Sequence, residues 1–171
     1  MKRRYLKDYI RDENEGFRYT GRFYCSAISD DERKKHSFTG IVAGVTGILL
    51  VLAAISVNCL GNRTLYVVLP LEFTLLCYGY YLAGIITFFK APNRMELRIY
   101  EGAYLRTIQS LTMAILLQFF SLVGELFLIV RYEDNPGKEE FYLLFWIFLA
   151  LGLNVLLWIK QKKLIAAVSE E

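Results

Sequence analysis

The hydrophobic residues of this chain fall into four long runs that are separated by polar segments. The runs are each 19 to 25 residues long and cover residues 38–60, 65–89, 107–130 and 141–159. A helix of about 20 residues crosses a hydrocarbon core of roughly 30 Å. Only two charged residues, Glu72 and Glu125, interrupt the runs, whereas a long surface helix of a soluble protein carries a continuous polar face. The pattern therefore predicts four transmembrane helices.

These runs predict an all-α polytopic membrane protein. Its central part, residues 38–159, is expected to form an antiparallel bundle of four transmembrane helices. We expect residues 1–37 to form a cytoplasmic segment rich in basic and aromatic side chains, and residues 160–171 to form a cytoplasmic tail. The predicted partners are the lipid bilayer and either further copies of this chain or another membrane protein.

The segments that flank the runs carry local signals of their own. Aromatic residues alternate with basic or polar ones over residues 17–24, which suits a short strand, a hairpin or a segment at the lipid headgroups. Ser29 and Glu32 have the spacing of a capping box, so the first helix is expected to begin there. Apolar residues at helical spacing over residues 97–108 predict an amphipathic cytoplasmic helix that leads into the third span. It could lie along the inner leaflet, or it could extend that span into the cytoplasm as a docking surface.

Basic residues predict the orientation of the chain in the membrane. Seventeen of the twenty Lys and Arg residues lie in residues 1–37, 90–106 and 160–171, and the other three are Arg63, Arg131 and Lys138. Cytoplasmic loops carry an excess of Lys and Arg. Both termini are therefore predicted to be cytoplasmic, and the short connections on the other side favour a bacterial inner membrane.

A stripe of small residues marks one side of the first predicted helix. Helices in hydrocarbon associate through close backbone approach and through hydrogen bonds between them. Gly40, Gly44 and Gly47 lie at helical spacing, and this spacing continues to Asn58. We therefore predict that this side packs against a neighbouring helix.

Polar residues mark the packing sides of the next two helices. Gly79 and Ala83 share a side of the second helix with Glu72, because steps of seven and four residues return to nearly the same side. In the third helix, Gln118 and Glu125 are seven residues apart and face the same way. Both sides are predicted to point into the bundle.

The two glutamates form the candidate functional site. Glu72 and Glu125 are predicted to lie roughly 10 Å and 8 Å from the outer ends of their helices, at 1.5 Å per residue. We expect Asn58 and Gln118 to contribute to this intramembrane polar site. Ionisable residues in a span are costly and mark proton or ion sites by default. Such a carboxyl pair could share a proton or bind a cation or an amine.

The alternative interpretation of the same glutamates is structural. Arg63 and Arg131 lie near the outer ends of the spans, and long basic side chains can reach along a helix into the interface. Glu72 would then pair with Arg63, and Glu125 with Arg131.

Motifs for catalysis are not found in this sequence. It lacks an HExxH motif, a GxSxG motif and a glycine-rich phosphate loop, and its three cysteines form no CxxC pair. We therefore expect no enzymatic activity, no cofactor and no bound metal. The aromatic and basic residues near the N-terminus are expected to contact lipid rather than nucleic acid.

Two functions follow from these observations. The first is a non-catalytic accessory or interaction subunit of a membrane complex. The alternative is a small oligomeric carrier or channel for protons, cations or amine-like solutes, a transporter that uses Glu72 and Glu125.

Overall fold

Four long helices dominate the computed structural model, which describes residues 9–12, 16–26, 28–131, 137–166 and 168–170. The helices are α1 (Asp30–Ile55), α2 (Leu65–Phe89), α3 (Leu97–Arg131) and α4 (Lys138–Ala166). All four are long and apolar enough to cross a membrane, which confirms the prediction of four such helices. Parts of the predicted segments 1–37 and 160–171 lie outside the described residues.

Polar side chains determine where α1 begins and ends. The Ser29 side chain accepts a hydrogen bond from the backbone N–H of Glu32, and the Glu32 carboxylate accepts one from the Ser29 N–H, so the predicted capping box is confirmed. α1 ends at Ile55, five residues before the end of the apolar run. The amide Nδ2 of Asn62 donates to the carbonyls of Ala54 and Ile55, at 2.8 and 3.2 Å, and so takes the place of a further helical turn.

The amphipathic segment before the third span is part of α3 itself. A single π-helical turn at Glu101–Leu105 joins its first residues to the long helix Arg106–Arg131. Tyr104, in this turn, is buried and packs edge-on against Phe88 of α2, with the ring centroids 5.1 Å apart. The segment therefore extends the third helix and does not form a separate one.

The helices are arranged so that each packs against two others. α1 and α3 both contact α2 and α4. The apolar core of this bundle includes Val51, Leu71, Leu128 and Ile147, one residue from each helix. The outward sides of the helices carry large exposed apolar side chains instead.

A small sheet at one end of the bundle is an addition to the all-α prediction. A hairpin joins β1 (Tyr9–Asp12) to β2 (Gly16–Tyr19), and β3 (Phe23–Ser26) pairs antiparallel with both β4 (Arg94–Glu96) and β5 (Val168–Glu170). We call this end the sheet end. β2 and β3 agree with the strand interpretation of residues 17–24, but they pair with other strands and not with each other, so the hairpin interpretation of these residues is wrong. The pairing of β3 with β4 and β5 had no signal in the sequence.

The hairpin is attached to the sheet by a tyrosine. The Tyr9 hydroxyl donates a hydrogen bond to the Glu96 carboxylate, and this bond, together with partial burial, raises the pKa of Tyr9 to about 12. Tyr9 therefore remains a neutral donor near neutral pH. The contact connects the first described residues of the chain to β4.

Arg33 connects the start of α1 to the segment that follows α2. Its side chain is only 5% exposed. The guanidinium donates to the carbonyl of Ala91 and to Oδ1 of Asn93, and it lies 3.1 Å from the Asp30 carboxylate. The backbone N–H of Ser26, in β3, donates to the carbonyl of Asn93 at 2.9 Å. One buried cation thus holds α1, the α2–β4 connection and the sheet together.

Replacing Arg33 by Ala is expected to destabilise the sheet end. The substitution leaves the carbonyl of the buried Ala91 without its donor, which costs about 1–3 kcal/mol. Equilibrium unfolding in detergent measures this loss. Lys34→Ala is the matched control because Lys34 is exposed in the same turn of α1. Equal stability of the two variants would contradict the role assigned to Arg33.

Candidate functional site

A pair of carboxyl groups lies at the end of the bundle opposite the sheet, which we call the loop end. Glu125 of α3 is fully buried, and neither of its carboxylate oxygens accepts a hydrogen bond from the described part of the chain. Glu140, in the first turn of α4, is half-buried. Both carboxyl groups lie against Gly61, whose N–H donates to Glu140 and on which a Cβ atom would overlap the Glu125 carboxylate. Two acidic groups are therefore adjacent at this end of the bundle.

The connection between α1 and α2 covers this carboxyl pair. The Glu140 carboxylate accepts hydrogen bonds from the backbone N–H groups of Leu60 and Gly61, at 2.7 and 3.3 Å. A Cβ atom on Gly61 would overlap the Glu125 carboxylate and would lie 2.7 Å from Leu143. Glycine is thus required at this position because the backbone passes directly over Glu125.

A second polar cluster occupies the middle of the bundle, with one residue from each helix. The Asn154 amide donates to Oε1 of Gln118 at 2.9 Å, and both side chains are fully buried. The buried Tyr78 hydroxyl lies beside these two amides. A Cβ atom on Gly47 would overlap the Tyr78 ring, so α1 must provide a glycine here. This cluster pairs polar atoms between helices and thereby fixes how the helices meet.

The glycine stripe of α1 faces α2. Gly40, Gly44 and Gly47 are all buried. A Cβ atom on Gly40 would lie 3.1 Å from Ile85, and one on Gly44 would lie 2.8 Å from Leu82. The structure therefore places these three residues where α1 approaches α2 most closely.

The side of α2 that carries Glu72 points away from the other helices. Glu72, Gly79 and Ala83 are exposed, and a Cβ atom built on Gly79 meets no atom within 4 Å. This differs from the prediction that this side points into the bundle. The residues that pack are on the opposite side of α2, among them Leu71 and Tyr78. We call the exposed stripe of Glu72, Leu76, Gly79 and Ala83 the α2 outer face.

The predicted site residues are therefore not assembled into one site. Glu72 is exposed and Glu125 is buried, so the two carboxyl groups do not form the expected pair. Asn58 is also exposed, and its Oδ1 accepts a hydrogen bond from Arg63 at 3.0 Å. The Arg131 guanidinium lies 5.9 Å from the centroid of the Phe127 ring. Among the described contacts, neither arginine serves as the charge partner proposed for a glutamate.

Glu140 is the residue that the sequence analysis missed. It directly precedes the fourth apolar run, residues 141–159, and so lies outside the predicted spans. An acidic residue just before an apolar run is a signal for the first turn of a helix, and Glu140 does occupy that turn. Its contact with Glu125 depends on how α3 and α4 meet, which has no signature in the sequence.

Comparisons of the chain with family models, curated proteins and solved structures give no match. The fold and the two polar clusters define a class only: a four-helix bundle whose helices are long and apolar enough to span a membrane.

Replacing Gly47 by Ala is expected to destabilise the bundle by about 1–3 kcal/mol, because the added methyl group overpacks the contact with the buried Tyr78 ring. Gly152→Ala is the matched control, since a Cβ atom at Gly152 meets nothing within 4 Å. Both substitutions gain the same helix propensity, so the difference between their unfolding free energies isolates the contact. A Gly47→Ala protein as stable as Gly152→Ala would contradict this packing.

Proposed function

We propose that this chain is a non-catalytic integral membrane protein that binds a different membrane protein through the α2 outer face. The observation that carries the proposal is the position of Glu72, a charged residue on the outward side of an apolar helix.

Exposed apolar side chains support a location in the membrane. Leu49, Phe120, Phe148 and Leu156 are each more than 60% exposed, and they are distributed over the outward sides of α1, α3 and α4. Soluble monomers rarely expose contiguous apolar patches larger than a few hundred Å². Lipid is the solvent that makes such a surface favourable.

The distribution of charge supports cytoplasmic termini. The sheet end is built from the segments that contain seventeen of the twenty basic residues. By the positive-inside rule this end faces the cytoplasm. The four helices then form an antiparallel bundle in which the loop end faces the opposite side of the membrane.

Single cysteines in a cysteine-free background test this orientation. Gly137→Cys at the loop end is expected to react with a membrane-impermeant maleimide added to intact cells. Lys35→Cys at the sheet end is expected to react only after the membrane is permeabilised. The opposite pattern, or reaction of both positions in intact cells, would contradict the proposed topology.

Glu72 needs a partner that the described part of this chain does not provide. It is exposed, and no hydrogen bond or ion pair joins it to another described residue. The residue lies two helical turns into α2, roughly 10 Å from the start of the helix. A charged residue at the centre of a membrane helix costs about 2.5–3.5 kcal/mol on insertion scales, and one nearer the helix end, such as Glu72, costs less. A group that pairs with the carboxylate would offset much of that cost.

The remainder of the α2 outer face permits close approach of another helix. Gly79 and Ala83 lie on the same side as Glu72, and the space above Gly79 is open. Small residues at such spacing let two membrane helices approach closely, and polar groups then form hydrogen bonds across the interface. Glu72 and the small residues therefore belong to one docking surface for a helix.

Charge complementarity favours a different protein over a second copy of this chain. A two-fold contact through the α2 outer face brings the same patch of both copies together, which would place one Glu72 beside the other. Like charges in a medium of low dielectric constant repel strongly. The expected partner instead presents a Lys, an Arg or a neutral hydrogen-bond donor from a membrane helix at the depth of Glu72.

Photo-crosslinking in native membranes tests this interface. A photoreactive residue at position 76 on the α2 outer face is expected to give one major adduct with a distinct membrane protein. The same residue at position 156 on α4 is the control, because Leu76 and Leu156 are similarly exposed, at 62% and 68%. Glu72→Lys is expected to reduce the adduct about tenfold, the change that roughly 1.4 kcal/mol of lost affinity produces.

The identity of the adduct decides between the outcomes. Exchange of the basic partner residue for Glu is expected to restore crosslinking to the Glu72→Lys variant. An adduct with a second copy of this chain, equal adducts from positions 76 and 156, or no adduct would each contradict the proposed partner. Thermal unfolding of Glu72→Lys in detergent shows whether the bundle itself is unaffected.

A carrier for protons, cations or amines is the second candidate function. The observation that favours it is the buried contact between Glu125 and Glu140, since Glu72 lies apart from it. Proteoliposomes that contain the purified protein test this candidate. Solute or proton flux that is lost in Glu125→Gln supports a carrier, and flux equal to that of empty liposomes under imposed gradients contradicts it.

A further inference from the structure

We propose that Glu125 and Glu140 together bind one exchangeable proton, which holds the α1–α2 connection onto α3 and α4. This site is separate from the α2 outer face, so the test of this proposal does not depend on whether the proposed partner exists. Its ligand is a proton shared as a carboxylic acid on Glu125 that donates to the carboxylate of Glu140.

The burial of Glu125 favours the protonated form of its carboxyl group. The side chain is fully buried, and its two oxygens receive no hydrogen bond from the described residues. An isolated buried carboxylate is very costly, and in practice such a group takes up a proton instead. A protonated Glu125 has an O–H to donate, and Glu140 is the acceptor beside it.

The surroundings of the two carboxyl groups differ, and this difference assigns the proton. Glu140 accepts two backbone hydrogen bonds, from Leu60 and Gly61, and these donors stabilise its ionised form. Glu125 has no such donors among the described residues. When two adjacent carboxyl groups differ in this way, the group with fewer donors is the one that holds the proton.

A proton fits this site better than a metal ion does. Calcium takes six to eight oxygen ligands, and magnesium requires near-octahedral coordination. Two carboxyl groups supply at most four oxygens here, and both Glu140 oxygens are already engaged by N–H groups. No three acidic, histidine or cysteine side chains within the described part of the chain are grouped to hold a metal. A shared proton needs only one oxygen from each residue.

Loss of the proton is expected to act on the α1–α2 connection. The titratable groups of the described chain that face Glu125 and Glu140 are each other and the Cys59 thiol of the connection, and none of these is a cation. Deprotonation places two negative charges directly beneath Gly61. The connection reaches the pair through the N–H groups of Leu60 and Gly61, so it is the element that is released.

Infrared spectroscopy of the full-length protein in lipid nanodiscs tests for the proton. Near neutral pH, the wild type is expected to show a C=O stretching band of a protonated carboxyl that Glu125→Gln lacks. Glu72→Gln is the matched control and is expected to retain this band, because Glu72 lies outside the pair.

Hydrogen–deuterium exchange of residues 59–63 tests the coupling. In the wild type, exchange relative to Glu125→Gln is expected to rise by about tenfold per pH unit up to the pH at which the infrared band disappears and to level off above it, since one proton is lost on release only below that pH. Glu125→Gln keeps a neutral hydrogen-bond donor beside Glu140. Its α1–α2 connection is therefore expected to remain docked at every pH.

Several outcomes would overturn the proposal. The first is the absence of a protonated carboxyl band in the wild type, and the second is persistence of that band in Glu125→Gln. The third is loss of the band on addition of Na⁺ or Ca²⁺ at constant pH, a result that would indicate a cation site. Exchange of residues 59–63 that is the same in wild type and Glu125→Gln at every pH would overturn the coupling.

Discussion

A polar atom among apolar helices must find its partner within protein, because hydrocarbon offers no hydrogen bonds. Three polar side chains of this chain differ in how far they meet that constraint. Oε1 of Gln118 meets it through the Asn154 amide, and the result is a contact between α3 and α4. Glu125 meets it only when it carries a proton, because its neighbour is another acid. Glu72 has no partner among the described residues, and in the proposed function its partner comes from another molecule.

The two ends of the bundle are held by different means. At the sheet end, Arg33 and the pairing of β3 with β4 and β5 join distant parts of the chain through permanent charge and backbone hydrogen bonds. At the loop end, the α1–α2 connection is held by a carboxyl pair whose charge can change. The bundle thus combines a sheet end held by permanent interactions with a loop end held by a carboxyl pair. Between the two ends, the glycine stripe of α1 packs against α2.

The position of each helix along the chain was predictable, and so was the side of α1 and of α3 that packs against protein, but the packing side of α2 was not. The second apolar run coincides with α2 at residues 65–89, because hydropathy reports burial in either lipid or protein. For the same reason hydropathy cannot tell which side of a membrane helix faces protein. Glu72 was therefore predicted to point inward, although Leu71, the residue before it, is the one that packs. Likewise, the contact of Glu140 with Glu125 arises from the packing of α3 against α4 and has no signature in either segment.

The central claim is that the α2 outer face is covered by another protein in the membrane. Spin labels at positions 76 and 156 test it most directly, because the chain alone leaves both positions similarly exposed. In native membranes, the label at position 156 is expected to be relaxed efficiently by oxygen, which dissolves in lipid. The label at position 76 is expected to be protected from oxygen there and to become accessible when the purified chain is placed in nanodiscs. Equal oxygen accessibility of the two labels in native membranes would contradict the claim.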